Sequence, residues 1–252
     1  MPDSTRIEGS VALVTGANRG IGRAITEALL ARDVAKVYAT ARAPRTVEAL
    51  RERHGDRVVP LRLDVTDTDQ VARAARTATD VGLLVNNAGA FQPTGLTDAA
   101  IVEVARREME VNYFGALRML HAFEDTLVRR RGALVNIGSA AGLSTVPIQP
   151  TYSASKAAQH SLTQASRALL AARGVTVHGV YPGPVDTDMT RDLPPAFAKT
   201  PVAAVANAIL DGVEAGEEDI FPDPFAVAFG QRFHSSPKSV EQEMAAIVRL
   251  PA

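Results

Sequence analysis

Cysteine is absent from the 252 residues, which excludes disulfides, thiolate catalysis and cysteine metal sites. Histidine is scarce, and the five present, His54, His121, His160, His178 and His234, form neither a His-x-x-x-His pair nor an acidic companion motif, so no metal site is expected. No apolar run approaches the ~18 residues of a membrane span, and residues 1–10 are polar without a signal-peptide core; a cytoplasmic protein making no membrane contact is expected. A formal net charge of −1 lacks the basic excess that nucleic acid or an anionic surface would want. Lysine is rare as well: among 27 basic residues only Lys36, Lys156, Lys199 and Lys238 are not arginine.

What is present is an alternation of short apolar runs with segments of helical period, the pattern of βαβ units around a parallel sheet. Strands are expected at residues 11–15, 37–41, 58–63, 83–85, 133–137, 175–181 and 219–221. Helices are expected at 21–32, 47–53, 69–78, 98–130, 152–172 and 201–214. There is no repeat and no low-complexity stretch, and the proline-rich pieces 182–201 and 222–224 read as loops, so residues 1–252 are expected to form one domain, with 223–252 as a helical tail of no readable motif. The fold class is α/β: three layers, doubly wound, with about seven strands in a central parallel sheet.

Directly after the first strand comes Thr15-Gly16-Ala17-Asn18-Arg19-Gly20-Ile21-Gly22, opening the first helix. Glycines there permit a tight turn and close approach of backbone to a pyrophosphate, whose charge meets free helix amides. Strand before and helix after are the context that separates this loop from an ordinary glycine-rich turn. The second strand ends Thr40-Ala41-Arg42, where an acidic residue would hold the 2′-hydroxyl of NAD. Arg42 and Arg19 can instead embrace the 2′-phosphate of NADP, making NADP(H) the expected cofactor over NAD(H). A solvated surface arginine is the competing reading of Arg42. Asp64, before Val65, can reach an adenine amino group or simply cap a turn. Asn86-Asn87-Ala88-Gly89 forms a small-residue turn after the fourth strand, at the strand end where open α/β sheets bind ligands.

Tyr152 and Lys156 stand four apart in an expected helix, one turn above each other. An ammonium beside a phenol favours the phenolate and would lower its pKa toward working pH, fitting Tyr152 to pass a proton to or from a substrate oxygen. Ser139, thirteen positions earlier at a strand end, can hold that oxygen by its hydroxyl. Asn112 is an unusual polar residue in an apolar helix, with a buried, backbone-bonded asparagine as the competing reading.

With these motifs in this order, and Pro182-Gly183 after the sixth strand, the chain resembles the short-chain dehydrogenase/reductase family in its single-domain form, over residues 8 to about 222. The resemblance implies a Rossmann fold and a tetrad of Asn112, Ser139, Tyr152 and Lys156. Tyr152 would be the acid or base and Ser139 would position the carbonyl. Lys156 would hold the nicotinamide ribose and lower the phenol, and Asn112 would hold a water relaying protons to Lys156. Cofactor contacts would come from Gly16, Asn18, Arg19, Gly20, Ile21, Gly22, Arg42, Asp64, Val65, Asn87, Ala88, Gly89, Tyr152, Lys156, Pro182, Gly183, Val185 and Thr187. The resemblance also implies pro-S hydride transfer and a homodimer or homotetramer joined through the long helices. Two features depart from the family: Gly82 replaces a frequent aspartate and would loosen the fourth strand's start, and the loop 184–200 is short. Asp186 and Asp188 match no family role and read as loop or capping residues.

The expected activity is reversible NADP(H)-dependent hydride transfer between a ketone or aldehyde and an alcohol, without metal. The substrate would meet Ser139 and Tyr152 among largely apolar walls, Phe91, Leu143, Ile148, Gln149, Pro184, Val185 and Met189. Two other readings compete: a non-catalytic NADP-binding regulatory or scaffold protein, and another nucleotide enzyme such as a methyltransferase. The intact tetrad weighs against both.

Overall fold

The structure, a computed structural model, describes residues 5–193 and 197–246. Parts of three expectations, the polar stretch 1–10, the loop 184–200 and the tail 223–252, lie outside the described residues. Seven strands, β1 (Val11–Val14), β2 (Lys36–Ala41), β3 (Val58–Arg62), β4 (Leu83–Asn86), β5 (Ala133–Ile137), β6 (Thr176–Val180) and β7 (Asp219–Ile220), make one sheet in the order β3-β2-β1-β4-β5-β6-β7. Every pairing is parallel. The order reverses between β1 and β4, the switch point at whose carboxyl strand ends open α/β sheets bind ligands.

Side-chain alternation along each strand builds the two helical layers. Ala12 and Val14, Leu83 and Val85, and Ala133 and Val135 face one side. There they meet Ile25 and Leu29 of α1 (Gly20–Ala31), Leu50 of α2 (Glu48–His54) and Val205 and Ile209 of α7 (Val202–Ala215). Leu13, Leu84 and Leu134 face the other, against Val71 of α3 (Thr68–Thr77), against Met119, Phe123 and Leu127 of α5 (Ala116–Arg130), and against Leu170 of α6 (Pro150–Leu170). A leucine, valine or isoleucine so buried contributes about 1.5–3 kcal/mol, and the three-layer doubly wound expectation holds.

The expected helix over 98–130 is two helices with a π-helical turn between them. α4 (Ile101–Met109) runs into Glu110–Gly115, whose extra residue per turn rotates Asn112 inward before α5 begins. Val65 packs against the bulge, its Cγ2 2.6 Å from where a Cβ on Gly115 would lie. Gly82 does not loosen β4: its amide donates to the Val11 carbonyl at 2.9 Å and its carbonyl accepts from Ala133 at 2.8 Å, so backbone bonding holds it from both neighbouring strands. The tail forms α8 (Pro224–Ser235) and α9 (Pro237–Ala246), which fold back on the turn after β5 through Ala140, Phe229, Val240 and Met244.

Candidate active site

The glycine loop bends through left-handed backbone at Gly16 (φ 67°) and Gly20 (φ 53°), conformations that disfavour a side chain. At Gly22 space is the limit: a Cβ would stand 2.3 Å from Asn87 Nδ2 and 2.4 Å from the Gly16 carbonyl. Asn87 Nδ2 staples that turn by donating to the Thr15 carbonyl at 2.8 Å, while Thr15 Oγ1 accepts from the amides of Asn87 and Ala88, both at 2.9 Å. Arg19 at the start of α1 has no side-chain cap, and no acidic residue occupies the first turn. The amides and positive dipole end therefore remain available to an anion, and the cradle suits a pyrophosphate. Ile21 turns its side chain into the core.

Arg42, after β2, is exposed and makes no hydrogen bond or ion pair among the described residues. Arg19 differs, because Nη1 meets Asp188 Oδ2 at 3.4 Å. Asp188, expected as a loop or capping residue, thus also bridges Arg19 and Arg191. Asp64 shows its turn-forming role with one oxygen: Oδ1 accepts from the Thr66 amide at 3.0 Å and from the Thr66 hydroxyl at 2.8 Å.

Ser139 leaves β5 in extended backbone, and its Oγ accepts from the Ala141 amide at 3.2 Å, starting a tight turn at Ala140–Gly142. That turn lies on the backbone of Lys156, where a Cβ on Gly142 would come within 2.7 Å, so the end of β5 is brought to the first turns of α6. Pro150 at the helix's first position has the φ and the missing amide suited to that place, which moves the helix start ahead of residue 152. Tyr152 and Lys156 are neighbours as the spacing requires, with Nζ 5.9 Å from the ring centroid.

The phenol pKa in this structure moves the opposite way from the one expected. Burial pushes Tyr152 up to about 12, against a downward pull from the Ser139 hydroxyl and with a further push from the Glu108 carboxylate. Lys156 is itself only 4% exposed, and burial draws it down to about 7. Its Nζ donates to the Ile137 carbonyl and to Gln159 Oε1, each at 2.8 Å, rather than to the phenol. Asn112 is fully buried: Oδ1 accepts from the Ala90 amide at 2.8 Å, and Nδ2 donates to the Ala90 carbonyl at 2.9 Å and to Ser155 Oγ at 2.8 Å. It ties the loop after β4 to α6, the backbone-bonded alternative in a central position.

Pro182 and Gly183 close the far side. The Pro182 carbonyl accepts from the Ala140 amide at 3.1 Å, and the Gly183 amide donates to Asp223 Oδ2 at 2.8 Å. Thr187 touches the glycine loop, its Cγ2 3.4 Å from the Cβ position of Gly20. Among the expected wall residues, Phe91 meets Tyr152 edge to face at 5.3 Å between centroids. Val185 is a correction, since its side chain is buried in the core beside α7 rather than lining a pocket. Leu143 packs on the tail helices, Ile148 and Met189 are exposed, and Gln149 sits half-buried at the N-terminus of α6. A cleft of 820 Å³ lies elsewhere, on the outer face of α4 between Val102, Met109 and Phe114, and includes none of the four tetrad residues.

Sequence reasoning missed Gln159, Glu108 and Asp223. All three are buried and polar, and they bond respectively to Lys156 Nζ, to the Gln92 amide and to the Gly183 amide. Gln159 follows Lys156 at i+3 on the same helix face, which is the one signal that pointed to it. The Asp223-Pro224 pair was another overlooked signal, a helix N-cap followed by proline at N1.

A family model described as short chain dehydrogenase matches residues 10–197. The 3-oxoacyl-acyl-carrier-protein reductase FabG of Vibrio cholerae is 36% identical over 196 residues, 74% of this chain and 78% of that protein. The Escherichia coli protein of the same name is 35% identical over 195 residues, with the same coverage. Among solved structures, a short chain dehydrogenase from Burkholderia cenocepacia in complex with NADP is 40% identical, with a TM-score of 0.89 over 95% of this chain and 99% of that one. A short-chain dehydrogenase from Streptomyces avermitilis is 28% identical, with a TM-score of 0.81 over 96% and 98%. The sheet order, the glycine turn and these likenesses agree, and the chain belongs to the short-chain dehydrogenase family.

Proposed function

We propose that this protein is an NADP(H)-dependent oxidoreductase that reversibly reduces a ketone or aldehyde to an alcohol. The observation that carries the reading is the convergence of Ser139, Tyr152 and Lys156 at the carboxyl edge of one parallel sheet, the edge from which the glycine turn also leaves. The pyrophosphate would rest on the backbone of residues 16–22, with Arg42 and Arg19 toward the 2′-phosphate and Lys156 toward the nicotinamide ribose. The bound cofactor supplies or accepts the hydride.

Tyr152 gives its proton to the developing alkoxide; burial favours the neutral phenol, so the proton is in place on the ring oxygen before the hydride arrives. Ser139 donates a second hydrogen bond to the same oxygen. Asn112 keeps the Ala90 backbone and Ser155 in register with Tyr152, whose carbonyl accepts from Ser155 Oγ at 2.8 Å. Phe91, set against Tyr152, favours a carbonyl carried on an apolar carbon skeleton. The Vibrio cholerae and Escherichia coli relatives are named 3-oxoacyl-acyl-carrier-protein reductases, and a 3-oxo ester is therefore a first substrate to try. Exposed Val102 and Phe114 on the α4 side support a homo-oligomer joined through that face.

The test follows NADPH absorbance against aldehydes, aliphatic and aryl ketones, 3-oxo esters, quinones and steroids, with Tyr152→Phe alongside the wild type. Turnover lowered at least ~100-fold in Tyr152→Phe with NADPH binding kept supports the reading. Tight NADPH binding with no turnover on any member refutes it.

A further inference from the structure

Glu108 is 1% exposed on α4, an uncommon place for a carboxylate, since burying a charge is costly unless its hydrogen bonds repay it. Oε1 accepts from the Gln92 amide at 2.9 Å, while Oε2 has no partner. One helical turn on, Asn112 holds the Ala90 amide and carbonyl at 2.8 and 2.9 Å. The two side chains thus grip the backbone on either side of Phe91, whose ring meets Tyr152 at 5.3 Å with 71° between the planes. Arg107 also bonds to the Gln92 side chain, so this loop is anchored by two residues of α4 and by Asn112 in the π turn that follows it. Edge-to-face is one of the preferred arrangements of an aromatic pair, so each ring favours one orientation of the other.

We propose that Glu108 is a positioning residue of the catalytic site: by holding the Gln92 amide it fixes Phe91 edge-on against Tyr152 and keeps the phenol in the orientation from which it donates its proton. The inference rests on Tyr152 being the proton donor. Glu108 itself touches no reacting atom. Its work is to make one face of Tyr152 rigid, as Asn112 and Ser155 do for the backbone beneath it.

The test compares wild type, Glu108→Gln and Glu108→Leu, each with isotope-labelled phenylalanine and tyrosine rings. Gln can still accept from the Gln92 amide through its side-chain carbonyl, and Leu cannot. The nuclear Overhauser contact between Phe91 and Tyr152, assigned with Phe91→Leu and Tyr152→Phe, is expected in wild type and Glu108→Gln and absent in Glu108→Leu. kcat is expected to fall between about tenfold and 100-fold in Glu108→Leu, with KM for NADPH unchanged, and to be restored largely by Gln. A Phe91–Tyr152 contact that persists in Glu108→Leu, or a kcat that does not fall, overturns the proposal. If Glu108→Leu does not fold, Phe91→Leu gives the test from the other side, and full kcat in that variant overturns it. A wild type without turnover on any carbonyl refutes the proton-donor reading instead, and the ring contact still reports whether Glu108 holds Phe91.

Discussion

Arg19 Nη1 lies 3.4 Å from Asp188 Oδ2, so a cation of the glycine loop is shared with the segment that follows β6. Both side chains are largely exposed, and such a pair is worth about 0.2–1 kcal/mol, weak enough for a phosphate to displace. Asp188→Ala should therefore tighten NADPH binding by up to about fivefold. NADH binding should not change, and the gain should fade at high ionic strength. Titrations of both cofactors at two salt concentrations check this.

Gly22→Ala should abolish NADPH binding or weaken it at least about tenfold, because its Cβ would require movement of backbone at Gly16 as well as of Asn87 Nδ2. Calorimetric titration with NADPH, beside a melting curve showing the variant folded, gives the answer. Undiminished affinity would mean the turn is softer than its contacts indicate.

Lys156 makes stability depend on pH. Burial holds its folded pKa near 7, below the usual 10.5, so between those values the unfolded chain binds a proton that the folded chain does not. This contribution to stability is greatest at the alkaline end of the window and is lost progressively as pH falls to about 7, below which the penalty is constant. Lys156→Met removes it. The melting temperature of Lys156→Met minus that of wild type should be largest at pH 7 and shrink toward pH 10. Above pH 10 Tyr152, raised to about 12, works in the opposite sense and lowers stability with rising pH in both proteins. Thermal unfolding at half-unit steps would show the trend, and a difference independent of pH would contradict it.

The strands and the glycine turn were legible because their signals are local: Leu13, Leu84 and Leu134 alternate with smaller apolar residues, and the glycines follow a strand directly. The closeness of Tyr152 and Lys156 was legible from spacing, whereas Asn112 entered the expected tetrad through resemblance. What spacing could not supply was burial, so the proximity of Lys156 to Tyr152 was foreseen while the direction of both pKa shifts was not. The π turn at Glu110–Gly115 was hidden because its residues read as ordinary helix, and its tight contact is with Val65, distant in sequence. Glu108 and Gln159 were hidden for a simpler reason: polar residues in helices usually face water, and only the packed fold shows that these two do not.

Asp223→Ala should cost about 3 kcal/mol, since it removes the N-cap of α8 at Ala226 and leaves the Gly183 amide without its charged acceptor. Urea denaturation is the measurement. A loss under about 0.5 kcal/mol, the range of an ordinary surface change, would show that the two bonds are replaceable.

The same aspartate sets an order on the making of the protein. About 200 residues separate it from the glycine turn, roughly 10 to 40 seconds of synthesis at ordinary rates. A ribosome-bound chain thus carries the residues of the glycine turn well before the carboxylate that closes the Pro182-Gly183 side. Through that interval the nascent chain presents an unsealed mouth, and the helices that seal it come after every strand of the sheet.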